Sequence, residues 1–285
     1  MDGFLIINKQ KDWTSHDVVA KLRSITSLRK IGHTGTLDPF ATGVLVVGIG
    51  KATKLFEFLT GDTKEYLATF KLGATSDTDD KTGTVTISPD AQKIIREDLE
   101  LAILKFTGKI KQTPPQYSAI KVNGKKMYEL ARKGETTKVK PRVVEVLEFE
   151  VLRYRYPKLK VRLKVSSGTY IRSLARDLGE ELGVGGYVEK LERTTVGNWH
   201  IDQSVKLKRL NKNNWAKYLQ PVEAVLDNFE LIKVSSEEAN DLRLGKKIEY
   251  SHEDSSKKLA VIDPEEKLVA IAEYSDNLLN PRKVF

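Results

Sequence analysis

Gly32-His33-Thr34-Gly35-Thr36-Leu37-Asp38-Pro39-Phe40-Ala41-Thr42-Gly43, followed at once by Val44-Leu45-Val46-Val47-Gly48-Ile49-Gly50, is the stretch from which the rest of the chain can be read. Three glycines, one carboxylate and one imidazole precede an apolar run of strand length, so the expected form is a loop feeding a buried strand. Glycine lets backbone approach a ligand closely, and Pro39 fixes φ directly after Asp38, stiffening the segment that carries the carboxylate. An Asp-Pro pair by itself is an ordinary turn, with the aspartate bonded to nearby N–H groups. A loop anchored to a buried strand is also where catalytic groups sit, and the residues alone leave both readings open.

At 285 residues the chain can bury a good core and hold one large domain plus a small one. Hydrophobic residues at 40% and charged residues at 31% are ordinary for a globular protein, and no apolar run approaches the roughly 20 residues of a membrane span. The stretch Met1-Asp2-Gly3-Phe4-Leu5-Ile6-Ile7-Asn8-Lys9 has too short an apolar run, and no preceding basic region, for a secretory signal, so the expected compartment is the cytoplasm. The lack of cysteine excludes a disulfide framework, a thiolate nucleophile and the His/Cys zinc sites of base deaminases. His16, His33, His200 and His252 are scattered without metal-ligand spacing, and neither a metal nor another cofactor is expected.

The net charge of +9 points to a polyanionic partner, and its distribution sharpens that reading. Residues 121–142 carry eight cations, among them Lys121, Lys125, Lys126 and Arg132, against Glu129 and Glu135, so +6 falls in one short segment. Clustered cations around Tyr117 and Tyr128 suit contact with RNA.

Ordered along the chain, Phe4-Leu5-Ile6-Ile7 reads as a buried strand and Thr14-Ser15-His16-Asp17 as a helix N-cap with an early acid. The helix that follows would bury Val18, Val19, Leu22 and Ile25, with Lys21, Arg23, Arg29 and Lys30 flanking the Asp38 loop. A strand is expected over 44–50 and a helix over 51–59; Ala52 breaks a phosphate-loop pattern there and Thr53 a dinucleotide fingerprint. Residues 65–72 alternate as a strand, and 77–83 read as a solvated acidic turn, since Thr82 and Ser88 break a calcium-loop pattern. Residues 96–106 form an amphipathic helix, 112–119 begin an irregular excursion, and a short helix is expected at 125–132. Residues 143–152 and 159–166 make a hairpin whose second strand would turn Val161, Leu163 and Val165 inward and Lys160, Arg162 and Lys164 outward as a cationic row. Ile171, Leu174, Ala175 and Leu178 define one face of a helix, and after 228–230 short strands are expected at 231–234, 246–250, 258–263 and 268–274.

Two segments, residues 32–43 and Gly168-Thr169-Tyr170-Ile171-Arg172-Ser173-Leu174, closely resemble the catalytic segments of bacterial TruB-type tRNA pseudouridine synthases, which isomerise uridine 55 in the T-loop of tRNA. The resemblance covers nearly the whole chain and is looser after residue 230, where Leu242-Arg243-Leu244-Gly245-Lys246 carries it. It implies an α+β pseudouridine synthase fold: a mixed, largely antiparallel central sheet flanked by helices, with a small C-terminal β-rich PUA-like module. The implied domains are a catalytic domain at 1–229, with a thumb-like insertion at about 108–140 that closes on the RNA stem-loop, and an RNA-binding module at 230–285.

In that family the aspartate at the position of Asp38 is the nucleophile, and the resemblance carries further roles onto this chain. Tyr66, in Lys64-Glu65-Tyr66, would lie beside the target base and assist removal of the C5 proton. Tyr170 would pack on the flipped base, and Arg172 would pair with Asp38, a guanidinium favouring the ionised carboxylate. Leu191 would line the same pocket, and His33 would fill the space the base leaves. Lys9 is assigned to substrate binding, although the family's Lys-Pro-x-Gly turn is replaced here by Lys9-Gln10-Lys11-Asp12. Lys121, Lys125, Lys126, Arg132, Arg162 and Lys164 would contact RNA backbone. The expected partner is tRNA through its T stem-loop, acted on by a monomer with no obligate protein partner and no membrane. Two rivals use the same scaffold: a catalytically silent tRNA-binding or folding factor, disfavoured by the presence of Asp38, Tyr66 and Arg172 together, and a guide-RNA-dependent relative, disfavoured by the long insertion.

Overall fold

Strand β1 (Gly3–Lys9) shows why the first half of the chain is built as it is: Leu5 and Ile7 point to one face, Phe4 and Ile6 to the other, and all four are buried. A strand covered on both faces needs an apolar residue at nearly every position, which the sequence supplies here and again in β3. The computed structural model describes all of residues 1–285 except 60, 62, 90, 119, 123, 132, 133, 135–138, 228 and 252–257, and only the backbone of 121, 122, 125, 126 and 128.

In chain order the principal strands after β1 are β2 (Ile31–Thr34), β3 (Thr42–Ile49), β4 (Lys64–Leu72), β5 (Gly108–Gln112), β6 (Arg142–Arg155), β7 (Lys158–Val165), β8 (Gly186–Val196) and β9 (Val205–Lys206). They build a ten-stranded sheet in the order β9-β1-β3-β8-β4-β7-β6-β5, with β2 beside β3 and residues 199–200 beside β8. Only β1 with β9 and β3 with β8 run parallel, so the sheet is mixed and largely antiparallel. The parallel junction of β3 and β8 sets Gly43 opposite Arg193, with Gly43 at φ 104°, where a Cβ would run into the Arg193 carbonyl.

Helix α1 (Ser15–Thr26) begins with a capping box, Thr14 accepting from the Asp17 N–H and Asp17 from the Thr14 N–H. Its buried face, Val18, Val19, Leu22 and Ile25, covers Leu5, Ile7, Leu45 and Val47, each such side chain contributing about 2 kcal/mol through burial. Over the other half of the sheet, α2 (Arg96–Leu104) and α3 (Ile171–Glu181) pack on β4, β6, β7 and β8. Val161, Leu163 and Val165 are buried there as the alternation of β7 required.

The C-terminal part is a second sheet of five strands, β10 (Phe229–Lys233), β11 (Ile248–Glu249), β12 (Lys258–Ile262), β13 (Leu268–Ser275) and β14 (Leu278–Val284), in the order β10-β12-β13-β14-β11. Helix α4 (Ser236–Arg243), capped by Ser235 and Glu238, and strand β14 were not expected from the sequence. This sheet does not stand apart. Ala260, Leu268 and Ile271 share one apolar cluster with Phe4, Ile6, Val44 and Val46, the underside of β1 and β3. No helix among the described residues is long and apolar enough to cross a membrane.

Three local expectations are corrected. Gly32, His33 and Thr34 lie on β2, paired with Gly48, Val47 and Val46, so the loop proper begins at Gly35. Residues 50–55 form a 3-10 helix before a short α-helical turn at 56–59. The turn at 77–83 is not simply solvated, because Asp79 and Asp80 are buried and bond to Arg176 and the Arg172 neighbourhood.

Candidate active site

The loop between β2 and β3 is held by its backbone. Leu37 and Phe40 are sunk in the apolar cluster that contains Tyr66, Ile171 and Leu191, which pulls the loop down on either side of Asp38. Its carbonyls are then occupied in turn. Arg193 Nη2 donates to Gly35 O (3.1 Å), Ser15 Oγ to Leu37 O (3.2 Å), Ala41 N to Asp38 O (3.1 Å), and both Lys9 Nζ (3.2 Å) and Asp12 N (2.8 Å) to Pro39 O. Leu37 N also donates to Ser15 Oγ at 2.9 Å. Asp12, standing where the family's turn has glycine, takes φ 65° to bring its N–H to Pro39.

With its backbone committed, Asp38 is left with its carboxylate turned to Arg172. Nε donates to Oδ2 and Nη2 to Oδ1, each at 2.9 Å, a bidentate pair that fixes the plane of the carboxylate. The arginine is enclosed, its side chain 5% exposed against 32% for Asp38, so the aspartate is the open member of the pair. The remaining donors of Arg172 go inward: Nη1 to Thr78 O (3.0 Å) and Nη2 also to Tyr117 O (3.0 Å), with Asp80 Oδ2 at 3.6 Å from Nη1. Asp80 is held in turn by Thr78 Oγ1 (3.0 Å) and by the N–H and hydroxyl of Thr82. Asp79, paired with Arg176 at 2.8 Å, is pushed up to about 6 by burial, against the pull of Arg176 and Arg172. An anchored carboxylate with a partly open edge, backed by a buried guanidinium, can act as a nucleophile toward a planar ring or the carbon that bears it.

Comparison with known proteins gives the family of the chain. Residues 23–171 match the family described as TruB family pseudouridylate synthase (N terminal domain), and residues 172–229 match the tRNA pseudouridylate synthase B C-terminal domain. The chain belongs to the TruB family. A tRNA pseudouridine synthase B of Clostridium tetani is 40% identical over 248 residues, covering 87% of this chain and 86% of that one. One from Syntrophomonas wolfei is 39% identical over 296 residues, covering 100% and 99%. Among solved structures, a Cbf5-Nop10-Gar1 complex contains a chain of 25% identity that superposes with a TM-score of 0.75, over 99% of this chain and 84% of that one.

The other TruB-type positions expected from the sequence fall as follows. Tyr66 and Leu191 lie in the cluster that seats Leu37 and Phe40, both 7% exposed. Tyr170 is the N-cap of α3, and burial raises its phenol, with Ser118, Arg142 and Arg172 opposing. His33 sits on β2 with Nδ1 buried; burial first, then Arg193 and His16, lower its imidazole. Lys9 is a correction. Its ammonium is fully buried and gives its three donors to Gln10 O, Trp13 O and Pro39 O, leaving none for RNA, so it supports the loop rather than binding substrate. Burial brings that ammonium down to about 8, with Asp38 and Asp12 opposing.

Of the cations assigned to RNA backbone, Arg132 lies outside the described residues, and for Lys121, Lys125 and Lys126 the description stops at the backbone. Arg162 donates to Glu150 at 2.6 Å, and Lys164 lies 3.7 Å from Glu65 and 3.9 Å from Glu148, so this row carries its own countercharge. Among the described residues no three His, Asp or Glu side chains converge as a metal site requires.

Sequence reasoning missed Ser15 and Arg193. Ser15 follows a recognised cap, but nothing local marks its contact with Leu37. Arg193 is the largest fully buried side chain among the described residues, donating from Nε to Val44 O (2.8 Å), and a lone arginine within a strand gives no hint of that.

Proposed function

We propose that this protein converts uridine 55 in the T-loop of tRNA to pseudouridine, with Asp38 as the covalent nucleophile. The observation that carries the reading is the bidentate Arg172–Asp38 pair, with the aspartate as its open member, in a chain of this family. Asp38 attacks either the ribose C1′, displacing N1 of uracil, or C6 of the ring. Along either route the C1′–N1 bond breaks, the base turns, C5 bonds to C1′, the bond to Asp38 breaks to return the free carboxylate, the C5 proton leaves and N1 gains one. The reaction is an isomerisation that consumes no outside reagent, so it calls for no cofactor.

Since the target atoms are inaccessible inside a stacked loop, the uridine is everted first. Tyr170 confines the ring, Tyr66 assists loss of the C5 proton, Leu191 closes the pocket wall, and His33 occupies the space the base vacates. Arg172 holds the carboxylate plane so that attack needs no reorganisation. The insertion at about 108–140 closes on the stem-loop, the module at 230–285 adds RNA contact, and the enzyme works as a monomer.

The test is tritium release from tRNA labelled at uridine C5, comparing the protein with its Asp38→Asn variant. Release by the unaltered protein alone supports the reading. Salt-dependent tRNA binding by both without release would replace it with a silent binding factor.

A further inference from the structure

Gln112 is the last residue of β5, at the point where the chain leaves the sheet for the 108–140 excursion, and it is 2% exposed. Both ends of its amide bond to one residue's backbone. Oε1 accepts from Tyr170 N at 2.7 Å and Nε2 donates to Tyr170 O at 3.0 Å. This is the pairing a neighbouring strand would make, supplied by a side chain, and it falls on the N-cap of α3. An N-cap N–H and carbonyl held in one plane fix the direction in which the helix starts. Arg172 leaves that helix two residues later.

The same short segment touches α3 three more times. Ser173 Oγ (2.8 Å) and Arg176 Nη2 (2.9 Å) both donate to Thr113 O, and Arg172 Nη2 donates to Tyr117 O. The nitrogen that reaches Tyr117 also holds Asp38 Oδ1, so insertion root, helix start and catalytic carboxylate meet at one atom. Ser173 and Arg176 anchor the side of α3; Gln112 grips the backbone of its N-cap residue.

We propose that Gln112 is a positioning residue for the isomerisation, setting the start of α3 and through it the aim of Arg172 on Asp38. The inference rests on the reading of Asp38 given above. It makes the insertion root part of the catalytic scaffold, in addition to any contact the insertion makes with RNA.

Gln112→Leu removes both bonds with little change of volume, and Gln112→Glu keeps the acceptor for Tyr170 N–H while losing the donor. In tritium release, Gln112→Leu is expected to lower kcat about ten- to hundredfold with the Kd for tRNA within twofold of the unaltered protein, and Gln112→Glu to fall between the two. In an Arg172→Lys background the Gln112→Leu step should cost far less than it does alone, since both act on one geometry. A twofold or smaller change in kcat overturns the proposal. So does a loss that only follows the fraction unfolded at the assay temperature, or one expressed in Kd with kcat unchanged. If the unaltered protein releases no tritium, it is the assignment of Asp38 that fails. Gln112 is then judged by whether Gln112→Leu alone speeds amide exchange at Tyr170, and unchanged exchange overturns it.

Discussion

Two loops bring an aspartate to Arg172, and they are built in opposite ways. The loop at 35–41 is held by its backbone carbonyls, which accept from Arg193, Ser15, Lys9 and Asp12, so the Asp38 side chain is left with a partly open edge. The turn at 77–83 is held by side chains. Ser76 donates to Asp80 O at 2.6 Å, Thr78 and Thr82 saturate Asp80 Oδ1, and the carboxylates themselves are spent on the structure. Both acids face one guanidinium, yet only the first is open to an incoming group, its side chain 32% exposed against 5% for Asp80. A carboxylate becomes available for chemistry when other groups do the work of folding its loop.

The contrast is broken most severely at Asp38. Asp38→Asn keeps the size and one acceptor but removes the proposed nucleophile, and tritium release should fall at least about 10³-fold while the fold, read by circular dichroism, is unchanged. Asp80→Asn should cost less. It weakens the charge behind Arg172 without touching the reacting atoms, so kcat should fall roughly ten- to hundredfold, the range of one charge-assisted contact, with Kd for tRNA retained.

Asp79 separates the loops by pH. Its carboxyl is raised from near 3.8 to about 6 by burial, so between those values the folded protein binds a proton that the unfolded chain has released. Raising pH through that window therefore destabilises the fold at this residue, and lowering it does the reverse. Urea unfolding of Asp79→Asn should accordingly gain on the unaltered protein by up to about 3 kcal/mol between pH 4 and pH 7, from a shift of about two pKa units. A constant difference across that range would remove Asp79 from the account. The smallest effect belongs to Asp12, which holds φ 65° to serve Pro39. Asp12→Gly relieves that strain, and the expected gain is about 0.5 kcal/mol with activity unchanged.

What could be read beforehand follows the same division. The buried strand after the Asp38 loop, the Thr14 cap and the buried faces of α1, α3 and β7 are local patterns and form as expected, whereas residues 32–34 pair as β2 instead of joining the loop. The turn at 77–83 looked solvated because four of its seven residues are charged; the burial of Asp79 and Asp80 depends on hydroxyls that bond to Asp80 and on arginines nearly a hundred residues away. Arg193 bonds to Val44 and Gly35 across 149 and 158 residues, a distance no spacing rule reaches. Helix α4 had a legible signal, Ser235 three residues before Glu238, masked by an expectation of strands. Strand β14 was hidden by Pro281, which sits opposite Ala272 at a register shift where a missing N–H is tolerated.

The apolar cluster shared by the two sheets has a practical consequence for anyone dividing this chain. Cutting at residue 229 would strip Ala260, Leu268 and Ile271 from beneath Phe4, Ile6, Val44 and Val46, along with the Lys283–Glu57 ion pair at 2.9 Å. The severed N-terminal fragment would present a sticky apolar floor under the very strand that leaves the Asp38 loop, inviting self-association. The C-terminal sheet is thus a cover as well as a module, and shortened forms should be trimmed elsewhere.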